Sequence, residues 1–361
     1  MEQQFFLGPS SIQKLFPFLY KNASKNIFLV RGKKSYEACG AKVIIDNTLN
    51  ALHCKVIEFY DFEENPKAED LMRGLELLRQ SQASIIVAVG GGSVLDMSKL
   101  LRFFYSYSSG VIGSEYEKRC ELLPLIVLPT TAGTGSEATH FAVLYKDKVK
   151  YSVEHNDILP NVAIVYPPFT YNNPSYLTAC TGFDALAQGI EAYWNVNATE
   201  ESDEYAEKAI KLLWTNLPLA VKSPTEEIRD KVSEGSYWAG RAINIAKTTA
   251  PHAFSYPFTT YYGYPHGHAV ALTFPFFFKM NKEFDRLKKE LNIELYEKKI
   301  KHLCSICNAP IKDYIEHSLS LSLERPKAFD ANLIMKHVNL QRLDNNPVDL
   351  KLDFDLYRVV K

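Results

Sequence analysis

Two histidines, an aspartate and a glutamine have the types and spacing to hold a metal ion together. His252 and His266 stand fourteen residues apart, and Asp184 and Gln188 stand four residues apart upstream. Residues four apart on a helix share one face, so the Asp184 carboxylate and the Gln188 amide can point at the same place. Two imidazoles, a carboxylate and an amide oxygen are donors of the kinds that bind divalent transition metals. An Asp–Gln pair alone is common on solvated helix faces, so the prediction depends on all four residues.

Long helices must carry these residues. After a proline-rich hinge near residues 167–174, the pattern predicts helices over 182–194, 202–216, 226–247 and 279–300. Before the hinge, strands are predicted at 26–30, 55–60, 84–89, 125–128 and 162–166, alternating with helices such as 35–52 and 68–82. Such alternation is typical of parallel βαβ units. We expect a doubly wound α/β domain with a Rossmann-like parallel sheet at residues 1–172, and an all-helical metal-binding domain at residues 173–361.

The composition of the chain argues against some classes of binding partner. The chain has 361 residues and a formal net charge of -1, so no global field attracts nucleic acid or an anionic membrane. The start of the sequence lacks the pattern of a signal peptide. The longest apolar run, 269–278, is interrupted by Thr273 and Pro275 and is shorter than the roughly 20 residues of a membrane span. Six scattered cysteines are expected as free thiols, which indicates a cytoplasmic protein.

Two glycine-rich loops follow predicted strands. The first is Gly90-Gly91-Gly92-Ser93, which opens a helix, and the second runs over residues 130–136 and is rich in threonine and glycine. Glycine lets the backbone approach a ligand closely, and the start of a helix offers unpaired N–H groups to a phosphate. Two such loops at neighbouring strand ends predict a dinucleotide site at the edge of the sheet.

These segments resemble, in order and spacing, the iron-containing (group III) alcohol dehydrogenase family, from Gly8 to about Pro275. The resemblance implies a dinucleotide-binding domain followed by a helical domain. It also implies a metal held by an Asp, a His four residues later and two further His fourteen residues apart. The matching positions are Asp184, Gln188, His252 and His266. Gln188 departs from the family pattern, and an amide oxygen binds a metal more weakly than imidazole does, so both Fe²⁺ and Zn²⁺ remain open.

The resemblance also implies which residues contact the cofactor. The matching nucleotide contacts are Asn65, Gly91, Gly92, Ser93, Thr130, Thr131, Thr134, Ser136 and Lys150. Asp96 is expected either to support the cofactor from behind or to form a local ion pair with Lys99. Members that favour NAD often carry an Asp at the position of Gly32. Here Gly32 is flanked by Arg31, Lys33 and Lys34, which favours NADP(H) and leaves NAD open.

The polar residues near the two histidines indicate which groups take part in catalysis and which substrate is bound. Tyr256 stands where family members usually have a histidine close to the substrate, and Tyr256 or His268 is expected to assist protonation. Helical counting places Arg241, Thr248 and His252 on one face. This polar set is suited to a phosphonate, phosphate or carboxylate, unless Arg241 merely pairs with an acid such as Glu234 or Asp230. The full set of expected substrate contacts is Arg241, Asn244, Lys247 and Thr248.

The segment around these residues is similar to a branch of the family that reduces phosphonoacetaldehyde to 2-hydroxyethylphosphonate. The first alternative is a dehydrogenase of a neutral alcohol or polyol in the same family. The second is a nucleotide-binding module that has lost its metal through Gln188. A lyase resembling dehydroquinate synthase is disfavoured by the Asp184/Gln188 pair. From the family, a homodimer is expected.

Overall fold

The chain divides into two compact units, Met1–Asn173 and Pro174–Lys361. The structure is a computed structural model that describes residues 3–22, 26–108, 115–147 and 149–350. The described part of the first unit contains the strands β1 Gln4–Leu7, β2 Asn26–Arg31, β3 Val56–Phe59, β4 Ala83–Gly90, β5 Tyr107–Ser108, β6 Glu117–Lys118, β7 Leu125–Pro129, β8 Phe141–Lys146, β9 Val149–Glu154 and β10 Val162–Val165.

Six of these strands form one parallel sheet in the order β1-β10-β7-β4-β2-β3. The succession of strands reverses direction between the neighbours β2 and β4, and ligands bind at such switch points in α/β sheets. The register places Arg31 beside Val89 and Gly90 beside Pro129. The strands β2, β4 and β7 therefore end at the same edge, and both glycine-rich loops begin there.

Helices cover both faces of this sheet. They are α1 Leu15–Asn22, α2 Ser35–Ala38, α3 Ala41–Ala51, α4 Ala68–Ser81 and α5 Gly92–Ser106. Side chains alternate across a strand, so Leu29 packs in one core cluster with Ile45 of α3, while Phe28 points to the other face. There Phe28 stacks on Phe59, and Gly74 of α4 contacts that ring closely.

The second unit is mainly helical in its described part. Its helices are α6 Ser175–Trp194, α7 Glu200–Lys222, α8 Glu226–Ala246, α9 Ala250–Tyr262, α10 His266–Met280, α11 Ile293–Ile306, α12 Ile311–Asp313, α13 Ala331–Lys336 and α14 Leu340–Leu343. Helix α6 is buried along most of its length, so its polar side chains need partners inside the protein. Within the described ranges, none of the helices combines the length and the apolarity that crossing a bilayer requires.

The predicted fold class, a doubly wound Rossmann-like parallel sheet followed by helices, is confirmed. The helix predicted at 182–194 begins earlier, at Ser175, and the one predicted at 202–216 extends to Lys222. Two other predicted helices are interrupted. The helix expected at 35–52 is interrupted at Gly40, whose φ of 79° is a left-handed conformation. The helix expected at 279–300 is absent over most of its length, because α10 ends at Met280 and α11 begins only at Ile293. Asn281, just after α10, instead donates a buried side-chain hydrogen bond to Asn346 at 3.1 Å.

Candidate functional site

The first glycine-rich loop joins β4 to α5 in the first unit. A methyl group added at Gly90 would lie 2.5 Å from Val94, and one at Gly92 would lie 2.6 Å from Thr134. Both positions therefore need glycine for close packing. Helix α5 begins at Gly92, so its first backbone N–H groups and its positive dipole end lie at the loop.

The second loop lies directly beside the first. The backbone N–H of Thr130 donates to the carbonyl of Gly90 at 3.0 Å, and the backbone N–H of Asn65 donates to the Ser93 hydroxyl at 3.0 Å. A methyl group at Gly91 would stand 3.5 Å from Thr131, which is ordinary contact distance. The structure thus brings together these predicted nucleotide contacts: Asn65, Gly91, Gly92, Ser93, Thr130, Thr131, Thr134 and Ser136.

Buried side chains fasten the second loop to α5. The Lys99 ammonium donates to the Ser136 carbonyl at 2.9 Å, to the Ser136 hydroxyl at 3.1 Å and to the Thr139 hydroxyl at 3.0 Å. Asp96 accepts from the Ser136 hydroxyl at 2.5 Å and from the Val143 backbone N–H at 3.0 Å. We call Asp96, Lys99, Ser136 and Thr139 the α5 clamp. Burial lowers the pKa of Lys99 to about 8, although the charge of Asp96 opposes this effect.

The α5 clamp bears on both expectations for Asp96. Its carboxylate lies 3.6 Å from the Lys99 ammonium, which is the local ion pair that the sequence suggested. Each of its oxygens also accepts a hydrogen bond from within the protein. This geometry gives Asp96 a supporting role behind the loop, and direct contact with a cofactor stays a prediction.

Arg31, the last residue of β2, has an acidic partner. Both the Nε and a terminal nitrogen of Arg31 lie 2.7 Å from Glu58, and a further nitrogen donates to the Gly32 carbonyl at 3.1 Å. The guanidinium also lies 3.8 Å from the centre of the Tyr60 ring. Glu58 therefore offsets the positive charge of Arg31 at the end of β2.

Two further basic residues, Lys33 and Lys150, belong to the predicted cofactor region. The Lys33 ammonium lies 3.1 Å from Asp61, so the second cation at this edge also has a carboxylate partner. Lys150 lies on β9, opposite Tyr145 of β8. The hairpin of β8 and β9 is tied to α5 by the Val143–Asp96 hydrogen bond. A contact between Lys150 and a nucleotide stays a prediction.

In the second unit, three predicted metal ligands converge. Asp184 on α6, His252 on α9 and His266 on α10 each offer one ligand atom, and these atoms all lie within 4.8 Å of one another. The carboxylate of Asp184 lies 3.1 Å from Nε2 of His252 and 3.8 Å from Nε2 of His266. Gln188 is buried one turn after Asp184 on the same face of α6.

This donor set fits a divalent metal ion. Ligand bonds of roughly 2.1 Å leave the donors around one ion about 3 to 4 Å apart. The distances of 3.1 Å and 3.8 Å from the Asp184 carboxylate to the two imidazoles lie in this range. Asp184 and His252 are almost fully buried, while the His266 side chain is 32% exposed. A set with one partly open side is suited to catalysis, because a catalytic metal keeps a position free for substrate.

The charge of His252 depends on two carboxylates. Burial lowers its pKa, but the charge of Glu191 and the hydrogen bonds to Asp184 and Glu191 outweigh burial and raise the pKa to about 10. The two carboxylates therefore favour the ring with a proton on each nitrogen when no metal is bound. A metal ion that binds Nε2 displaces the proton there.

Glu191 is a site residue that the sequence pattern did not indicate. Its carboxylate is fully buried and contacts Nδ1 of His252. It also accepts hydrogen bonds from the backbone N–H of Thr249 at 2.7 Å and from the Thr249 hydroxyl at 2.9 Å. The Trp194 indole donates to that hydroxyl at 3.0 Å. The signal that could have found it is a second carboxylate seven residues after Asp184, because these two are the acidic residues of α6.

Gly267 sets the distance between α10 and α6. A methyl group added there would lie 1.9 Å from the carbonyl oxygen of Cys180 and 3.0 Å from the Cβ of Asp184. The two helices therefore touch through backbone atoms at this point. This close approach holds His266, the neighbour of Gly267, within reach of Asp184.

The structure distinguishes the two residues expected to assist protonation. The Tyr256 ring stacks on His266 with centroids 5.7 Å apart and an angle of 11° between the rings. His268 instead has both nitrogens engaged, with Nε2 at 2.7 Å from the Ser322 carbonyl and Nδ1 at 2.8 Å from the Tyr176 hydroxyl. A carbonyl only accepts, so Nε2 donates to Ser322, and Nδ1 is hydrogen-bonded to the Tyr176 hydroxyl. This geometry favours Tyr256 as the group beside the metal site.

The Arg241 side chain contacts residues of α7. Its guanidinium donates to the Tyr205 hydroxyl at 3.0 Å and lies 3.8 Å from Glu201. Glu234, which the sequence suggested as a partner, pairs with Lys208 at 2.8 Å. The guanidinium is therefore held at the beginning of α7.

The expected helical face from Arg241 to His252 was wrong. Helix α8 ends at Ala246, Lys247 has a left-handed φ of 71°, and α9 begins three residues later. Lys247 and Thr248 therefore lie in the short connection that leads to His252. The carbonyl of Thr248 accepts a hydrogen bond from the Asn345 amide at 2.9 Å, which fixes this connection.

Both halves of the chain match models of one protein family. Residues 3–167 match the model described as iron-containing alcohol dehydrogenase, and residues 178–320 match the C-terminal model of the same family. The long-chain-alcohol dehydrogenase 1 of Geobacillus thermodenitrificans is 31% identical over 280 residues, which are 75% of this chain and 70% of that protein. The 1,3-propanediol dehydrogenase of Citrobacter freundii is 34% identical over 287 residues, 75% of this chain and 71% of that protein.

A solved structure agrees with these relatives. The sulfoacetaldehyde reductase from Bifidobacterium kashiwanohense, in complex with NAD⁺, is 29% identical and superposes with a TM-score of 0.84. The match covers 99% of this chain and 96% of that chain. The resemblance inferred from the sequence motifs is confirmed at the level of the family. The chain belongs to the iron-containing alcohol dehydrogenase family of alcohol and aldehyde oxidoreductases.

Proposed function

We propose that the protein is a metal-dependent reductase of a small anionic aldehyde, with phosphonoacetaldehyde as substrate and 2-hydroxyethylphosphonate as product. In this reaction an aldehyde, a reduced nicotinamide and a proton give a primary alcohol and an oxidised nicotinamide. The convergence of Asp184, His252 and His266 on one point is the observation that carries the proposal.

Asp184, Gln188, His252 and His266 would hold the metal. Fe²⁺ is the ion that the family name supports, and Zn²⁺ suits the same donors. A bound metal polarises a carbonyl oxygen as a Lewis acid, and a bound nicotinamide supplies the hydride. The protein's own residues would orient the substrate and deliver the proton. Tyr256, stacked on His266, would hold that proton on its phenol, and His268 would fix the surrounding segment.

The two loops of the first unit would bind the nicotinamide dinucleotide. The N–H groups at the start of α5 suit its phosphates, and the hydroxyls of Thr130, Thr131 and Thr134 suit its ribose and pyrophosphate oxygens. The NAD⁺ complex of the sulfoacetaldehyde reductase supports a nicotinamide cofactor. A preference for NADP(H) stays a prediction, since Arg31 and Lys33 have carboxylate partners.

We expect Glu58 to control that preference. Replacing it by glutamine in a Glu58→Gln variant leaves Arg31 in place without its counter-charge, so a 2′-phosphate is attracted more strongly. The affinity for NADPH relative to NADH should rise about tenfold, which corresponds to about 1.4 kcal/mol. Fluorescence titration of both reduced cofactors measures this ratio. Glu121→Gln, at an exposed carboxylate of the same unit, serves as the control, and an unchanged ratio in Glu58→Gln contradicts the assignment.

The connection before α9 carries the proposed substrate contacts. Asn244 lies in the last turn of α8, and Lys247 and Thr248 follow within five residues of His252. Lys247 supplies the positive charge that an anionic head group needs, whereas Arg241 contributes to the polar set from its place against α7. The sulfoacetaldehyde reductase supports this class of substrate, because its substrate also carries an acidic group beside an aldehyde.

Reductase assays on matched aldehydes test the substrate class. We expect the protein with restored Fe²⁺ or Zn²⁺ to reduce phosphonoacetaldehyde with a higher kcat/KM than propanal, and sulfoacetaldehyde shows whether a sulfonate also serves. In Lys247→Met the KM for the anionic aldehyde should rise on the order of tenfold, with propanal unaffected, because one charged hydrogen bond is lost. Lys247→Arg is the matched control and should keep most of the preference. Equal turnover of propanal and phosphonoacetaldehyde by the unmodified protein would contradict an anionic substrate.

A neutral alcohol or diol is the second candidate. The 34% identity to a 1,3-propanediol dehydrogenase favours it, and the same assays identify it through turnover of 3-hydroxypropanal. A module that binds nucleotide without metal is the third, and metal analysis of the purified protein separates it from both enzymes. A homodimer, expected from the family, stays a prediction.

A further inference from the structure

Glu191 is a buried carboxylate that the proposed reaction does not use. It lies in the last turn of α6, two turns after Asp184, and has no exposed surface. A buried carboxylate is strongly destabilising unless hydrogen bonds and an opposite charge compensate it. Here the partners are Nδ1 of His252 and both donors of Thr249. The protein therefore places an anion behind the imidazole of a candidate metal ligand.

This contact decides which nitrogen of His252 is available to a metal. A carboxylate only accepts hydrogen bonds, so the Nδ1 that faces Glu191 keeps its proton. Nε2 lies 3.1 Å from the Asp184 carboxylate, on the opposite side of the ring. When the proton on Nε2 is displaced, its lone pair points to the position shared with Asp184 and His266.

Glu191 also fixes the backbone that carries His252. Thr249 is the last residue before α9, and the left-handed Lys247 makes the preceding turn. The Thr249 N–H and hydroxyl both donate to Glu191, and the Trp194 indole donates to the same hydroxyl. One carboxylate thus joins the end of α6 to the beginning of α9. It fixes both the position of the His252 backbone and the rotation of its ring.

We propose that Glu191 is a positioning residue that fixes the tautomer and orientation of His252 for metal binding. The proposal rests on the metal site of the proposed function. Carboxylates that hydrogen-bond a metal-ligating histidine orient the ring and make the ligand nitrogen more basic. Loss of such a partner commonly lowers metal affinity by about 10- to 100-fold.

Metal affinity, rather than turnover, tests the proposal. The dissociation constants of Zn²⁺ and Co²⁺ are measured by competition with a chelator in the full chain. Glu191→Gln keeps the volume and an oxygen acceptor but removes the charge, and we expect the constants to rise about tenfold. Glu191→Ala removes the acceptor as well and should raise them closer to 100-fold. Glu226→Gln, at an exposed carboxylate that begins α8, is the matched control and should bind as the unmodified protein does.

A spectroscopic measurement separates orientation from general stability. In the Zn²⁺-loaded protein, the Nδ1 proton of His252 should resonate far downfield because it is hydrogen-bonded to a carboxylate. In Glu191→Gln this resonance should move upfield, while thermal unfolding of the metal-free protein reports any loss of stability separately. Thr249→Val keeps the backbone N–H but removes the hydroxyl, and should weaken metal binding only a few-fold. If Glu191→Ala fails to fold, the comparison of Glu191→Gln and Thr249→Val with the unmodified protein still tests the proposal.

The outcomes distinguish this proposal from the metal site itself. If Glu191→Gln and Thr249→Val bind Zn²⁺ as tightly as the unmodified protein while Asp184→Asn does not, the positioning role is overturned and the metal site stands. If Asp184→Asn also binds normally, the metal site and the proposed function fall together. Weakened binding in Glu191→Gln with an unshifted Nδ1 resonance also overturns the orienting role.

Discussion

The protein with His252→Ala should lose its tightly bound metal and on the order of a thousandfold of its reductase activity. One of the three converging donors disappears, and with it the Lewis acid that contributes several kcal/mol to the transition state. Elemental analysis and kcat/KM of the purified variant measure both effects. His302→Ala removes a partly exposed imidazole on α11 and should leave metal content and activity unchanged.

The same substitution should also destabilise the metal-free protein. His252 lies between the buried carboxylates of Asp184 and Glu191, and its removal takes the imidazole from between them, although Thr249 still donates to Glu191. Breaking a buried ion pair from one side typically costs about 3 to 5 kcal/mol. Denaturant unfolding of the metal-free variant should show a loss of this size. A His252→Ala protein that retains one equivalent of metal and normal turnover would contradict the site.

Gly267→Ala should disrupt the metal site without removing any ligand. The added methyl group would lie 1.9 Å from the Cys180 carbonyl oxygen, so α10 has to move away from α6 and carries His266 with it. Overpacking of this kind costs about 3 kcal/mol or more, because a backbone carbonyl cannot rotate away as a side chain can. Zn²⁺ affinity and the denaturant midpoint should both fall.

Gly189→Ala is the matched control for that substitution. Gly189 lies on α6, the helix that Gly267 contacts, but a methyl group at Gly189 would meet Ile210 at 3.3 Å, and its nearest backbone oxygen would be 3.6 Å away. A shift of a few tenths of an ångström accommodates it, and alanine favours helix by about 1 kcal/mol over glycine. Metal affinity should therefore stay within a few-fold of the unmodified protein. Equal metal affinity and stability of the two alanine variants would show that Gly267 does not set the position of His266.

The sequence predicted the central strands well because their residues are buried on both faces. The run at residues 84–89 is almost continuously apolar, and it forms β4 with neighbours on both sides. The edge strand β1 and the hairpin of β8 and β9 were not predicted. Both of these are partly exposed and mix polar with apolar residues, so their periodicity is weak. The hydrophobic pattern of the sequence therefore identifies the strands that are buried on both faces, because burial requires their residues to be apolar.

The candidate metal ligands followed from residue types and spacing, whereas their supporting residues did not. Histidines among apolar residues are frequently ligands, so the spacing of His252 and His266 indicated a metal site. Glu191 acts through Thr249, 58 residues later, and only the tertiary fold brings the two together. The break at Lys247 was also invisible, because a left-handed φ at a lysine has no sequence signal comparable to glycine.

The α5 clamp implies that the loops proposed to bind the nucleotide have their shape before any nucleotide arrives. Fixing the backbone of a mobile residue costs about 1 to 2 kcal/mol, so ordering a free loop of residues 130–136 on binding would consume most of a cofactor's affinity. Lys99 and Asp96 order that loop during folding instead. Binding of a dinucleotide would then need little rearrangement in this unit, and the free energy of its contacts would not be offset by the cost of ordering the loop.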